Sequence, residues 1–127
     1  MSTIFVSDLH LAICRLSVDD VIPSWVRKEG FWVIAHTPDE LSIVCDEDWV
    51  PENVVVEKGW RMMKIEGPLE FTQVGVLVAI AEPLAHAGIS IFAISTYDTD
   101  YILVKNEDLP KAVMVVKAAD HNVVESM

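Results

Sequence analysis

Two apolar runs on either side of a polar stretch predict a β-hairpin in the second half of the chain. Residues 89–96 and 101–105 are rich in β-branched and aromatic side chains, which favour strands, and the polar residues 97–100 between them favour a tight turn. An apolar helical pattern precedes this hairpin and an amphipathic one follows it, while residues 60–66 and 121–126 are typical of strands. The predicted order is therefore strand, helix, two strands, helix, strand.

Residues 72–87 form the first predicted helix, which is apolar nearly all round. Val76 and Ile80 fall outside its main stripe, so we expect a second packing partner besides the helix's own sheet. Pro83 lacks a backbone N–H and predicts a kink or a shorter helix, and Gly88 is a typical C-terminal cap. The main stripe follows the i, i+3, i+4 spacing and comprises Val74, Leu77, Val78, Ala81, Leu84 and Ala85.

The second predicted helix spans residues 106–120 and is amphipathic. Residues 106–108 supply polar N-cap candidates, and Pro110 lies in the first turn, where proline is tolerated. Its apolar stripe is expected to face the sheet and comprises Leu109, Ala112, Val113, Val116 and Ala119.

The N-terminal half contains shorter versions of the same elements. A short helical turn is predicted near residues 22–27, and a short loop or helical turn is predicted to start at residues 46–48. Residues 1–8 are predicted to be a loosely held extension. The strands predicted in this half are residues 9–16, 31–36, 41–45 and 54–57.

A shift of 60 residues aligns the two halves of the chain without a gap. Residues 31–34, for example, then fall on residues 91–94, and both stretches begin the hairpin of their half. We interpret the chain as a tandem repeat of an N-terminal unit, residues 1–59, with shortened helices, and a C-terminal unit, residues 60–127. Because units of about 60 residues bury little surface alone, the two copies are expected to pack together.

Charge and cysteine use limit the environment and the partners. The formal net charge is −11, with nine Lys and Arg against twenty Asp and Glu, which disfavours nucleic acid and anionic membranes as partners. The longest apolar run is too short to span a bilayer, and no secretory signal is visible. Cys14 and Cys45 lie in apolar strand-like runs, so buried reduced thiols are favoured over a disulfide or a ligand pair. These features predict a cytoplasmic protein.

Catalytic and metal-binding motifs are not evident in the sequence. The four histidines are far apart, neither cysteine has a recognisable partner motif, and no Gly-rich phosphate loop occurs. The acidic run at residues 46–48 lacks the Gly and Glu of a calcium loop. We therefore expect neither an enzyme nor a metal or other cofactor site.

The stretch EGPLEFTQVGVLVAIAEPLAHAGISIFAISTYDTDYILVKNEDLPKAV, residues 66–113, resembles the ACT domain family of small-molecule-binding regulatory modules. Its most specific part is ISTYDTDYILV, residues 94–104, and the chain is similar to tandem ACT proteins related to amino-acid sensors, including the arginine-sensing kind. The resemblance implies an α+β fold of two ferredoxin-like βαββαβ units, with antiparallel sheets and helices on one face. It also implies a homodimer and an allosteric amino-acid ligand at an interface between units.

The resemblance also implies the position of the ligand site. Family sites use the loop between the first strand and the first helix, together with the start of the second strand of a neighbouring unit. The corresponding loop of the first copy, residues 17–20, is acidic and lacks glycine, so a second symmetric site is not expected. Carried over to this chain, the ligand-binding residues are Gly67, Leu69, Phe71, Thr72, Val74, Gly75, Ile94, Ser95, Thr96 and Tyr97.

Several of these positions have a structural interpretation beside the ligand-binding one. The N-terminus of a helix presents unpaired N–H groups that suit an α-carboxylate, and Gly75 could either admit a ligand to the backbone or permit close helix–strand packing. Asp98 and Asp100 could hold an ammonium or guanidinium group, although a role in turn formation is favoured. Ser95 and Thr96 could hydrogen-bond to a ligand or to an adjacent strand.

Two functional hypotheses follow from the sequence. The first is a regulatory sensor that binds an amino acid at an interface between ACT units of a homodimer. The alternative is a protein–protein interaction module without a ligand of its own, which docks through the two-sided apolar helix. A small enzyme would need a cleft with converging titratable groups, and the sequence does not indicate one.

Overall fold

Two compact units make up the computed structural model, which describes residues 1–26, 29–70 and 75–125. The N-terminal unit is Leu9–Trp60, and the C-terminal unit combines Met1–Asp8 with Arg61–Met127. The secondary structure is mixed α+β. In chain order the elements are β1 (Thr3–Val6), β2 (Leu11–Leu16), β3 (Val33–His36), β4 (Leu41–Asp46), β5 (Val55–Ile65), α1 (Val76–His86), β6 (Ile91–Ser95), β7 (Asp100–Lys105), α2 (Leu109–Ala118) and β8 (Asn122–Glu125).

The first eight residues are part of the C-terminal unit, so the prediction of a loosely held extension is wrong. Strand β1 pairs with β5 in antiparallel register, Ile4 opposite Ile65, and with β8 in parallel register, Ile4 opposite Val123. Ile4 is fully buried and Val6 nearly so. Burial of these two side chains, which a four-residue pattern does not reveal, holds the strand in the sheet.

The sheet of the C-terminal unit has the strand order β8-β1-β5-β7-β6, with Arg61–Ile65 as the part of β5 in this unit. One face of the sheet carries alternating buried apolar residues of three strands, β1, β5 and β7, and packs against both helices. Helix α2 contributes Ala112, Val113 and Val116 to this core, which confirms the stripe predicted for it. The sheet residues of the core are Ile4, Val6, Met63, Ile65, Ile102 and Val104.

Helix α1 packs on the same face, but in a different rotation from the predicted one. Ile80 and Leu84 are fully buried, whereas Val78, placed on the inward stripe by the sequence pattern, is 58% exposed. Because the helix is apolar nearly all round, its periodicity does not select the side that faces the sheet. No helix among the described residues is long and apolar enough to cross a membrane.

The N-terminal unit has an antiparallel sheet with the order β3-β4-β2-β5, in which β5 takes part through its segment before Arg61. Three-residue 3-10 turns, Ser24–Val26 and Glu47–Trp49, occur at the two connections where short helical turns are predicted. The buried core of this unit comprises Ala12, Cys14, Val26, Leu41, Ile43, Cys45 and Val50. Both cysteines are buried and free, as the sequence predicts.

Strand β5 is continuous, although the sequence pattern divides it into two strands. The register against β2 shifts between Leu11, opposite Trp60, and Ile13, opposite Glu57. Gly59 lies inside this shift with φ of +84°, a conformation that glycine adopts without strain. The irregularity is a β-bulge. Because the glycine accommodates the bulge, Val55–Ile65 form one strand, whereas the sequence pattern predicts a break between two strands.

Candidate functional site

A cavity of about 290 Å³ lies in the C-terminal unit beside the start of α1. Three segments enclose it: the loop after β5, the first turn of α1 and the turn between β6 and β7. The family resemblance expects the strand part of the site to come from a neighbouring unit. Here all three segments belong to one unit, and residues 95–97 lie at the end of β6, not at its start. The lining residues are Leu69, Glu70, Gly75, Val76, Leu77, Ser95, Thr96, Tyr97, Asp98, Thr99 and Asp100.

The turn between β6 and β7 is held by its two threonines. The backbone N–H of Thr96 donates to the carbonyl of Thr99 at 2.9 Å, and the Thr96 hydroxyl reaches the same carbonyl at 3.1 Å. Thr99 is 3% exposed, and its Oγ1 donates to the carbonyl of Ile65 at 2.6 Å. The turn is therefore anchored to the end of β5, which fixes the position of the carboxylates on either side of Thr99.

The loop after β5 packs closely against this turn. The backbone N–H of Leu69 donates to the carbonyl of Asp98 at 2.6 Å. A Cβ atom at Gly67 would lie 3.0 Å from that carbonyl oxygen and 3.0 Å from the Cβ of Thr99, so only glycine fits there without displacement. Gly67 does not itself line the cavity, and what its lack of a side chain permits is the contact between loop and turn.

Helix α1 begins at the cavity with a glycine as its N-cap residue. Its N-cap is Gly75, with φ of +80° and no side-chain hydrogen bond to the first turn. No described atom lies within 4 Å of the place where a Cβ of Gly75 would stand. Among the described residues, this open space favours access to the helix terminus over close helix–strand packing as the role of Gly75. The first turn of α1 lines the cavity through Gly75, Val76 and Leu77, so the partial positive charge of the helix end lies beside it.

The electrostatics of the cavity combine opposite signs. Glu70, Asp98 and Asp100 contribute three carboxylates, while the start of α1 contributes a partial positive charge. Such an arrangement suits a small zwitterion, with its carboxylate at the helix and its ammonium group among the carboxylates. Within the described residues, no group of three or more His, Cys, Asp and Glu is placed to hold a metal ion.

The structure brings half of the predicted ligand-binding residues together. Ile94 is not among the lining residues, because it is 8% exposed and pairs with Tyr101, on the face opposite that of Ile102. Phe71, Thr72 and Val74 lie outside the described residues. The predicted residues that line the cavity are Leu69, Gly75, Ser95, Thr96 and Tyr97.

Six lining residues were absent from the predicted ligand-binding set, although Asp98 and Asp100 were considered as partners of an ammonium or guanidinium group; they are Glu70, Val76, Leu77, Asp98, Thr99 and Asp100. Val76 and Leu77 belong to the first turn of α1, which the resemblance represents only by Val74 and Gly75. Thr99 lines the cavity from the hairpin turn, and its spacing of three residues from Thr96 is the signal for a hydroxyl-stabilised turn.

Comparison with known proteins gives matches over both halves of the chain. A family model described as ACT domain matches residues 55–118, and a model of an N-terminal domain matches residues 10–53. The cytosolic arginine sensor for mTORC1 subunit 1 of Bos taurus is 41% identical over 96 residues, which cover 69% of this chain and 29% of the sensor. The chain thus spans less than a third of the length of that relative.

Solved structures match nine tenths or more of the chain. A crystallised protein from Agrobacterium tumefaciens is 36% identical, with a TM-score of 0.94 over 99% of this chain and 94% of that protein. The regulatory subunit of aspartate kinase from Thermus thermophilus has a TM-score of 0.61 at 15% identity, over 90% of this chain and 96% of that subunit. At that identity the second match is a likeness of fold alone.

Proposed function

Because this chain belongs to the ACT domain family, we propose that it is a regulatory module that binds an amino acid in the cavity beside the start of α1. One observation carries the proposal: the N-terminal end of α1, which begins after Gly75, and three acidic residues line the same small cavity. Relatives and structural neighbours named as an arginine sensor and an aspartate kinase regulatory subunit support a regulatory rather than a catalytic role. A cytosolic location is supported by the name of the sensor.

In the proposed complex, the α-carboxylate of the ligand accepts hydrogen bonds from backbone N–H groups at the start of α1, next to Gly75. The α-ammonium group pairs with Asp98 or Asp100. The volume of about 290 Å³ agrees with this ligand size, since small-molecule pockets begin at about 300 Å³.

We extend the proposal to the architecture and assembly. The order β5-β2-β4-β3 and the order β8-β1-β5-β7-β6, in which β1 is an added strand, support two tandem ferredoxin-like units. The 3-10 turns support shortened helices in the N-terminal unit. Tyr97, 79% exposed at the cavity rim, supports a homodimer in which a second copy completes the ligand site.

A thermal-unfolding screen against the twenty amino acids tests the binding function. The protein must first be shown by mass spectrometry to carry no co-purified ligand. A ligand present at about 100 times its dissociation constant adds roughly 2.7 kcal/mol to the free energy of unfolding. One clear stabilising amino acid would support the proposal, and a flat screen would contradict it.

A second candidate is a docking module without a ligand of its own. Val78 on α1 and Met114 on α2 favour it, because these apolar side chains are 58% and 71% exposed. A flat amino-acid screen together with capture of a protein partner that is lost in Val78→Asp would favour this candidate.

A further inference from the structure

His121 is a buried histidine just before β8, and both of its ring nitrogens have partners. The backbone N–H of Ser2 donates to Nδ1 at 3.1 Å, and Nε2 lies 3.2 Å from the carbonyl oxygen of Ala79. A backbone N–H can only donate and a carbonyl oxygen can only accept. The two contacts therefore require the neutral ring with its proton on Nε2, whose N–H donates to Ala79.

His121 contacts the carbonyl of Ala79, which lacks its usual backbone donor in the helix because residue 83 is a proline. In α1 the carbonyl of Ala79 would accept from the backbone N–H of residue 83, but Pro83 has none, and its ring crowds that carbonyl. Helix α1 nevertheless continues past the proline to His86. The imidazole N–H thus stands in for the missing backbone donor from outside the helix.

Ala79 is also hydrogen-bonded to a residue that lines the cavity. The backbone N–H of Ala79 donates to the carbonyl of Gly75, the N-cap of α1, at 2.9 Å. A second bond, from the N–H of Asn122 to the carbonyl of Ser2 at 2.9 Å, reinforces the attachment of the N-terminal segment beside His121. A continuous series of hydrogen bonds therefore runs from Ser2 through His121 and Ala79 to Gly75.

We propose that His121 is a positioning residue: it supplies the hydrogen-bond donor that Pro83 withholds from Ala79, and it thereby holds the start of α1 in place beside the cavity. The hydrogen-bond relay stands on the contacts alone. Its relevance to a ligand rests on the proposed function, because only an occupied cavity makes the position of Gly75 matter for binding.

A thermodynamic cycle between His121 and Pro83 tests the relay in the ligand-free protein. His121→Leu should lower the melting temperature more in the natural background than in Pro83→Ala, because an alanine at 83 supplies a backbone N–H to Ala79. His86→Leu is the control, since His86 is exposed and lies on the same helix. Equal losses for His121→Leu in both backgrounds would overturn the relay.

Nuclear magnetic resonance gives a readout that does not depend on a folded variant. The ring of His121 in the natural protein should show a protonated Nε2 and an unprotonated Nδ1. The opposite tautomer, or a charged ring at neutral pH, would overturn the assignment.

Hydrogen exchange distinguishes a role of His121 in positioning the start of α1 from a contribution to the stability of the protein alone. In His121→Leu the amide of Ala79 should exchange about tenfold faster, as expected for the loss of one supporting hydrogen bond, and Pro83→Ala should restore slow exchange. His121→Gln, which keeps an N–H donor, should restore it in part. An unchanged exchange rate of the Ala79 amide would overturn the proposal that His121 positions the start of α1. All of these measurements are made without ligand, so a flat amino-acid screen would refute the proposed function and leave the relay to be judged separately.

Discussion

Replacement of Gly75 by tryptophan is the sharpest test of the cavity, because the chain offers a matched control beyond the other end of the same helix. Gly75, before α1, has φ of +80°, and Gly88, after it, has φ of +76°. No described atom lies within 4 Å of the Cβ position at either glycine. Both replacements force an L residue into the left-handed region at a cost of about 1–2 kcal/mol. Only the side chain at position 75 would enter the cavity.

We expect Gly75→Trp and Gly88→Trp to differ in how much the ligand stabilises them, and not in their stability without ligand. At 100 times the dissociation constant, the ligand adds about 2.7 kcal/mol to the natural protein and to Gly88→Trp. If tryptophan at 75 weakens binding about 100-fold by filling the cavity, the same ligand concentration adds only about 0.4 kcal/mol. The predicted gap between the two variants is therefore about 2.3 kcal/mol, the difference between these two values.

The assay is chemical unfolding with and without the amino acid found in the screen, on both variants and the natural protein. A ligand-induced shift of equal size in Gly75→Trp and Gly88→Trp would refute the placement of the ligand at the start of α1. Gly75→Ala serves as a further control, since a methyl group keeps the backbone cost but leaves most of the cavity open.

Three further predictions concern the framework of the site and the thiols. Thr99→Val should lower the free energy of unfolding by about 1–3 kcal/mol in urea titration, because it leaves the carbonyl of Ile65 without its buried donor. Gly67→Ala should cost about 1–3 kcal/mol in the same titration, because its Cβ would lie 3.0 Å from the backbone and side chain of the hairpin turn. Cys45 should resist iodoacetamide in the folded protein and react once the chain is unfolded, as read by mass spectrometry. The hydrogen bond with the Cys14 thiol and burial both raise the pKa of the Cys45 thiol, so the reactive thiolate is scarce at neutral pH.

The controls for these predictions are conservative variants. Thr99→Ser keeps the hydroxyl and should recover most of the loss, and no difference between valine and serine would contradict the role of the hydrogen bond. Gly88→Ala has open space around its Cβ, so it should show the backbone cost of a left-handed glycine site without a steric clash. Rapid alkylation of the folded protein would contradict burial of the thiols.

The sequence by itself determined the elements whose patterns are local. The strands of the hairpin at 89–105 follow from β-branched and aromatic residues on either side of a polar turn, and the inward stripe of α2 follows from a period of about 3.6 residues. The cavity residues at Ser95–Tyr97 were also predictable, because the resemblance to ACT domains rests on the motif that contains them.

Only the tertiary structure decided the features that depend on distant residues. The pairing of Ile4 with Ile65 joins segments about sixty positions apart, and no local pattern carries that information. The rotation of α1 was undetermined because an apolar helix has no preferred side until a sheet buries one, as it buries Ile80. The donor that His121 brings to Ala79 likewise exists only because the fold places a side chain beside the gap that Pro83 leaves in the helix.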